Sequence, residues 1–195
     1  KEVVIDHRAD FAADPVIGLR AAASAAQLGL PLSMRSLERL SESLRNGVGH
    51  LPHPWPREAR ENLISLIGAG SAMVQVFEAL DQEEVLFAWI PEWKSVRSLP
   101  QRNVLHRYTV DRHMVETVVH AASLTRKVHR PDLLLFSALF HDIGKGTEED
   151  HSERGERLIE PLALRIGFST EDIATIKILV KHHLLLSATA TRRDL

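Results

Sequence analysis

Leu133-Leu134-Leu135-Phe136-Ser137-Ala138-Leu139-Phe140-His141-Asp142-Ile143-Gly144-Lys145-Gly146 is the run on which the fold turns. Its first eight residues are apolar nearly all round, the pattern of a helix buried on every side. His141 and Asp142 end that helix, immediately before a glycine-containing loop. An imidazole and a carboxylate are costly to bury there unless a cation or hydrogen bonds compensate them. Adjacent helical residues point about 100° apart, so both can face one ion only because Gly144 opens the helix end. The run predicts a core helix that terminates in a candidate metal site.

Helix punctuation continues on both sides of it. A helix from about Thr109 carries Val110, Met114, Val118 and Ala122, and fades by Lys127. Another starts near Asp150, with Glu153 three residues on as a capping box; Pro161 is expected to kink it and Gly167 to end it. Ser169 or Thr170 caps a helix whose stripe is Ile173, Ile176, Val180 and His183. Upstream, Asp14-Pro15 opens a helix closed by Gly29, and Ser33 opens one ended by Asn46-Gly47. Leu51 to Pro56 is a proline-rich stiff connector. Pro56 then starts a helix stopped near Gly68 and Gly70, and Ser71 caps another with Met73, Val76, Phe77 and Leu80 on one face. Only Glu2-Val3-Val4-Ile5 looks extended. The expectation is an all-α chain with a boundary near residues 92–105, whose two halves can still pack as one body.

Composition narrows the function. With 195 residues and 44% hydrophobic content the chain can build a real core. The 24 basic and 26 acidic residues nearly cancel, to −2, which gives no support for a nucleic-acid or anionic-membrane partner. No apolar run approaches the roughly 20 residues of a membrane span, and no signal peptide opens the chain. Without cysteine there is no disulfide framework and no thiolate site, so any metal must take nitrogen and oxygen ligands. These absences suit the cytoplasm. The chain begins at Lys1 without methionine and stops at Asp194-Leu195, and reads as a fragment.

Most of the 11 histidines fall between His106 and His183. A lone histidine near a helix surface is usually solvated or a satisfied partial-core residue, which is the reading for His7, His50, His53 and His129. Others resist it. His151 lies four residues before Gly155 and seven before Leu158, so it projects from a core-facing stripe, and Gly155 allows that helix a close neighbour. His182-His183 sits near the end of another apolar helix, and His113 beside the Val110/Met114 stripe. His106 and His120 are each seven residues from His113; the first reads as a supporting residue and the second as structural. Four separate helical segments each offering imidazole beside an apolar stripe point to a divalent metal.

The order His113, His141-Asp142, His182-His183, Asp194 resembles the HD superfamily of metal-dependent phosphohydrolases. Four stretches are similar to the HD domain of the bifunctional uridylyltransferase/uridylyl-removing enzyme family. They are His106 to His113, Leu139 to Gly146, Asp150-His151-Ser152, and His182-His183-Leu184 with Thr191 to Asp194. Residues 1–100 resemble the helical region that precedes that domain, so the resemblance implies a helical linker or scaffold followed by an HD helical bundle over 101–195, truncated at its carboxyl end. It implies His113, His141, Asp142 and Asp194 around a first metal, and His151, His182 and His183 around a second, with Asp142 bridging. The metal is expected to be Mn²⁺ or Mg²⁺, with Fe or Zn as alternatives, as one or two ions.

The implied activity is the demodifying half of that family. It is hydrolysis of the phosphodiester joining a uridylyl (or, in some relatives, adenylyl) group to a tyrosine of the PII nitrogen-signalling protein, in the cytoplasm. His141 and Asp142 carry the chemistry. Lys145 either pairs with phosphate or is an ordinary solvated loop lysine. The family's nucleotidyltransferase and ACT domains are not found in these residues. Rival readings are an HD hydrolase of free nucleotides and a PII-docking or regulatory module with a structural metal; the missing Gly-Tyr-Pro after His-Asp speaks against cyclic-di-GMP hydrolysis. Asp194, followed only by Leu195, is expected to be poorly placed, because one trailing residue cannot nucleate a helix.

Overall fold

The computed structural model describes residues 1–101 and 108–192. Among these the chain is all-α: α1 (Ile17–Leu28), α2 (Met34–Arg45), α3 (Arg57–Ile67), α4 (Ala72–Gln82), α5 (Val85–Trp89), a 3-10 turn (Pro91–Ser95), α6 (Val110–Ala122), a second 3-10 turn (Thr125–Lys127), α7 (Pro131–Phe140), α8 (His151–Ile166), α9 (Thr170–Lys181) and α10 (Leu185–Arg192). The extended stub at the amino end makes one parallel bridge, Val3 to Leu32.

Most helix ends follow the punctuation. Gly29 closes α1 with a left-handed φ of 63° and Gly167 closes α8 with one of 90°, a conformation that costs any residue with a Cβ. The Asp150 carboxylate accepts from the Ser152 and Glu153 amides at 2.9 and 3.0 Å, and the Ser169 hydroxyl accepts from the Asp172 amide. Two readings need correction. Asp14 does not cap α1: its carbonyl accepts from the Ile17 amide in a turn, α1 begins at Ile17 after Val16, and the Asp14 carboxylate pairs with Arg20 at 2.8 Å instead of with a helix amide. Ser71 stands at the start of α4 but its hydroxyl makes no capping hydrogen bond. Pro161, which is exposed, lies inside α8, which runs as one helix from His151 to Ile166.

α7 is the centre of the bundle and packs on α3, α6 and α9. Phe136 and Phe140 are fully buried, their rings 4.8 Å apart, with Phe168 at 4.8 Å from Phe136; burying each such ring contributes about 1.5–3 kcal/mol. Buried apolar side chains from Ile5 to Val180 join in one core, so α1 to α4 and α6 to α9 share an interior. Polar contacts hold the seam. The Trp55 amide donates to the Arg165 carbonyl at 2.8 Å, Arg60 donates to the Gly167 carbonyl, and the Arg165 guanidinium grips Glu92 at 2.5 and 2.8 Å. These fix the far end of α8. Its other end lies against the loop after α7.

Candidate metal centre

The buried helix delivers its polar end as its sequence demands. Asp142 is 2% exposed and sits two residues past the end of α7, where Gly144 lets α8 close on the loop. A Cβ on Gly144 would lie 2.1 Å from the His151 carbonyl oxygen and 2.5 Å from the Gly155 nitrogen, so no side chain fits between loop and helix. Arg154 ties the two together, donating to the Gly144 and Lys145 carbonyls at 2.9 and 3.1 Å. The first residue of α8, His151, is thereby set beside Asp142.

Four imidazoles converge on this one carboxylate. The Nε2 atoms of His113 and His141 lie 3.6 and 3.2 Å from Asp142 Oδ2 and 3.2 Å from each other. Those of His151 and His183 lie 3.7 and 3.5 Å from Asp142 Oδ1. Two ligand groups result, His113/His141/Asp142 and Asp142/His151/His183, sharing Asp142. With metal–ligand bonds of about 2.0–2.1 Å, neighbouring ligand atoms stand about 2.8–3.0 Å apart around an octahedral ion and about 3.3–3.4 Å apart around a tetrahedral one. The spacing here is close to that of a coordination polyhedron.

Tautomers sharpen the point. His141 Nδ1 is 2.8 Å from the Ala138 carbonyl and His183 Nδ1 is 2.7 Å from the Val180 carbonyl. A carbonyl only accepts, so both Nδ1 atoms carry hydrogen, and in the neutral form of each ring, the form that binds a metal, the Nε2 lone pair faces the carboxylate. This is the anchoring that metal-ligating histidines use. Asp142 Oδ1 and His183 Nε2 are buried with no hydrogen-bond partner among the described residues, a costly pairing of acceptors that a divalent cation would satisfy. The residues fit a metal.

The charge balance agrees. Burial alone would push the Asp142 carboxyl up, but the facing His141, His183 and Lys145 groups hold it far below the usual carboxylate range. Burial lowers His151, with Asp142 only partly offsetting it. For His183 burial also lowers, yet Asp142 and the Val180 carbonyl outweigh it and the net shift is upward. The Lys145 ammonium is 2.8 Å from Asp142 Oδ2. It too faces the cavity of about 800 Å³ that opens over the cluster, walled by Leu99, Pro100, Val110 and Leu184.

Residues 110–194 match the HD domain family. This part of the chain is an HD domain. The whole chain is 54% identical over 194 residues to a bifunctional uridylyltransferase/uridylyl-removing enzyme of Streptomyces coelicolor and 48% identical over 194 residues to one of Mycobacterium tuberculosis, covering 100% of this chain in each case and 23% and 24% of those relatives. A Corynebacterium glutamicum enzyme of the same name is 34% identical over 93% of this chain and 25% of its own length. The chain thus spans about a quarter of the length of the curated relatives it matches, over the region that contains their HD domain.

Within this HD domain the structure gathers His113, His141, Asp142, Lys145, His151 and His183. It does not gather His182, which is exposed as the C-cap of α9. The stripe Ile173, Ile176, Val180 continues at His183, and the next-door residue points about 100° away, so only one of the pair turns inward. Asp194 and His106 lie outside the described residues. His50 and His53 are exposed, and His50 Nε2 is bound to the Leu44 carbonyl at 2.9 Å. Sequence reasoning missed Arg154 and Gln101. Arg154 carried a usable signal, standing one turn after His151; Gln101 carried none, because its partner is 44 residues away.

Proposed function

We propose that this HD domain is a metal-dependent phosphodiesterase that removes a nucleotidyl group, UMP or AMP, from a tyrosine of the PII signalling protein. The observation that carries the reading is the inward convergence of His113, His141, His151 and His183 on the buried Asp142, with Nε2 lone pairs of His141 and His183 presented to it. The names of the relatives, which include uridylyl removal, support the substrate class.

A divalent ion held there supplies Lewis acidity toward a phosphoryl oxygen and lowers the pKa of its water from 15.7 toward about 7. The chain's own residues do the rest. The Nδ1 bonds to the Ala138 and Val180 carbonyls keep the His141 and His183 imidazoles aimed without reorganisation during reaction. Lys145 places a positive charge at the cavity wall where phosphoryl oxygens would sit. Leu99, Pro100, Val110 and Leu184 offer apolar surface for a base or phenol ring. Tyrosine, with a free pKa of about 10, leaves as phenolate without a dedicated acid. A cavity of about 800 Å³ beside the cluster favours a catalytic over a sealed structural metal, since catalytic sites keep a position open.

Turnover of bis(p-nitrophenyl) phosphate by Mn²⁺-loaded protein tests the reaction class, and its absence removes the enzyme reading. Parallel assays with uridylylated PII, adenylylated PII and free nucleotides then test the substrate. Faster release from either modified protein than from free nucleotides is expected. Preference for free nucleotides would overturn the assignment to PII.

A further inference from the structure

The seam between the amino-terminal helices and the HD domain sends one side chain into the cavity. Lys145 Nζ is held from two sides, by Asp142 Oδ2 at 2.8 Å and by Gln101 Oε1 at 2.8 Å. Gln101 belongs to the segment that follows the 3-10 turn at Pro91–Ser95, outside the stretch that matches the HD family. That segment is strapped down. The Ser98 amide donates to the Asp111 carboxylate at 2.7 Å, and the Leu99 carbonyl accepts from the Val110 amide at 2.9 Å. Ser98 adopts φ 53°, a left-handed conformation unfavourable for a residue with a Cβ, such as accumulates where a fold must aim a functional group. On the opposite side Gly146 makes room: a Cβ there would meet Leu99 Cδ2 at 3.0 Å. The Gln101 amide also donates to the Tyr108 carbonyl at 3.3 Å, which sets its oxygen toward Lys145.

The geometry points to Gln101 as a positioning residue that holds the Lys145 ammonium in the cavity for phosphate. It rests on the reading of Lys145 as the phosphate-facing cation of the proposed phosphodiesterase. Asp142 Oδ2 is the oxygen that also faces His113 and His141. Once a divalent cation engages that oxygen, the ammonium keeps one neutral acceptor, the Gln101 amide oxygen. An ammonium has three donors; a neutral acceptor anchors one without cancelling the charge, and leaves the others for phosphoryl oxygens. A carboxylate in this place would hold the lysine as firmly but neutralise it.

The test is a double-mutant cycle read by calorimetric binding of inorganic phosphate to Mn²⁺-loaded protein, with Mn²⁺ affinity measured separately. Gln101→Leu should weaken phosphate binding about five- to tenfold, the loss of one charge-assisted hydrogen bond, and leave Mn²⁺ affinity within about twofold. In a Lys145→Met background Gln101→Leu should have no further effect, because nothing remains to position. Gln101→Glu should weaken phosphate at least as much as Gln101→Leu, and Gln101→Ala repeats the test without added bulk. Equal losses in the presence and absence of Lys145, or unchanged phosphate affinity in Gln101→Leu, overturn the inference while leaving the phosphodiesterase reading standing. Parent protein that binds Mn²⁺ but no phosphate overturns the inference as well, while the phosphodiesterase reading stands or falls on the turnover assays.

Discussion

Replacing Gly144 by alanine should damage the fold and the metal centre together. The added methyl would sit 2.1 Å from the His151 carbonyl oxygen and 2.5 Å from the Gly155 nitrogen. Both are backbone atoms, so no rotamer change relieves the clash; α8 and the loop must separate by roughly 1 Å in an interior packed as densely as a crystal. Overpacking of this kind costs about 1–3 kcal/mol, and a backbone clash belongs at the upper end. About 3 kcal/mol lowers the melting temperature by about 6–12 °C in a chain of this size. His151 moves away with the start of α8, so Mn²⁺ affinity should fall about 10- to 100-fold. Gly155→Ala is the internal control. Its Cβ would meet Val180 Cγ1 at 3.0 Å, a single side-chain contact that must give by a few tenths of an ångström rather than two backbone clashes, and alanine regains about 1 kcal/mol of helix propensity. Thermal denaturation and isothermal titration with Mn²⁺ on all three proteins decide it. A Gly144→Ala protein that melts within about 2 °C of its parent and binds Mn²⁺ equally well refutes the packing argument.

Three further outcomes are expected. His183→Ala should lower Mn²⁺ affinity at least about tenfold while His182→Ala leaves it unchanged, measured by the same titration; equal effects would return His182 to the ligand set. Asp142→Asn should abolish Mn²⁺ binding and phosphodiester turnover with far-ultraviolet circular dichroism preserved, since the change removes the charge but keeps the shape. Arg130 clamps Asp132 and Asp172 at the starts of α7 and α9, at 2.8 and 2.6 Å. It holds Asp172 below the usual carboxylate range by direct hydrogen bonding, and Asp132 likewise against the upward pull of burial. A depressed folded pKa stabilises above the unfolded value and is lost as pH falls through the folded one. Arg130→Met should therefore cost about 0.5–1 kcal/mol, reduced by exposure of the guanidinium, between about pH 5 and 8. The gap to the parent should begin to narrow below about pH 4 in urea denaturation and close only once the pH falls below the depressed folded pKa values.

The long helices were legible because their ends are written in local chemistry: Asp150 and Ser169 do cap, Gly29 and Gly167 do terminate, and the stripe of α4 is buried at Met73, Val76, Phe77 and Leu80. The apolar run before His141 announced both the core helix and the site at its end. α5 and α10 were not legible. Each is too short for apolar periodicity to show, and α5 follows Glu84 in a left-handed conformation, φ 61°, that no glycine or asparagine advertises. The site was legible as residue types but not as a ligand set. Choosing His183 over His182 depends on the rotation of the last turn of α9, and the role of Gln101 depends on a fold that returns residues 98–101 over the loop at Gly146. The clamp between Arg165 and Glu92, 73 residues apart, is of the same kind.

Asp142 and the imidazoles around it are proposed to hold a catalytic divalent ion. Anomalous diffraction from Mn²⁺-loaded crystals tests it most directly. The strongest anomalous peak should lie against the Asp142 carboxylate, with the Nε2 atoms of His113 and His141 at about 2.0–2.3 Å; a second ion, if bound, should lie on the His151/His183 side. A strongest peak that does not touch Asp142, or loaded crystals with no peak in the cavity, would contradict the account.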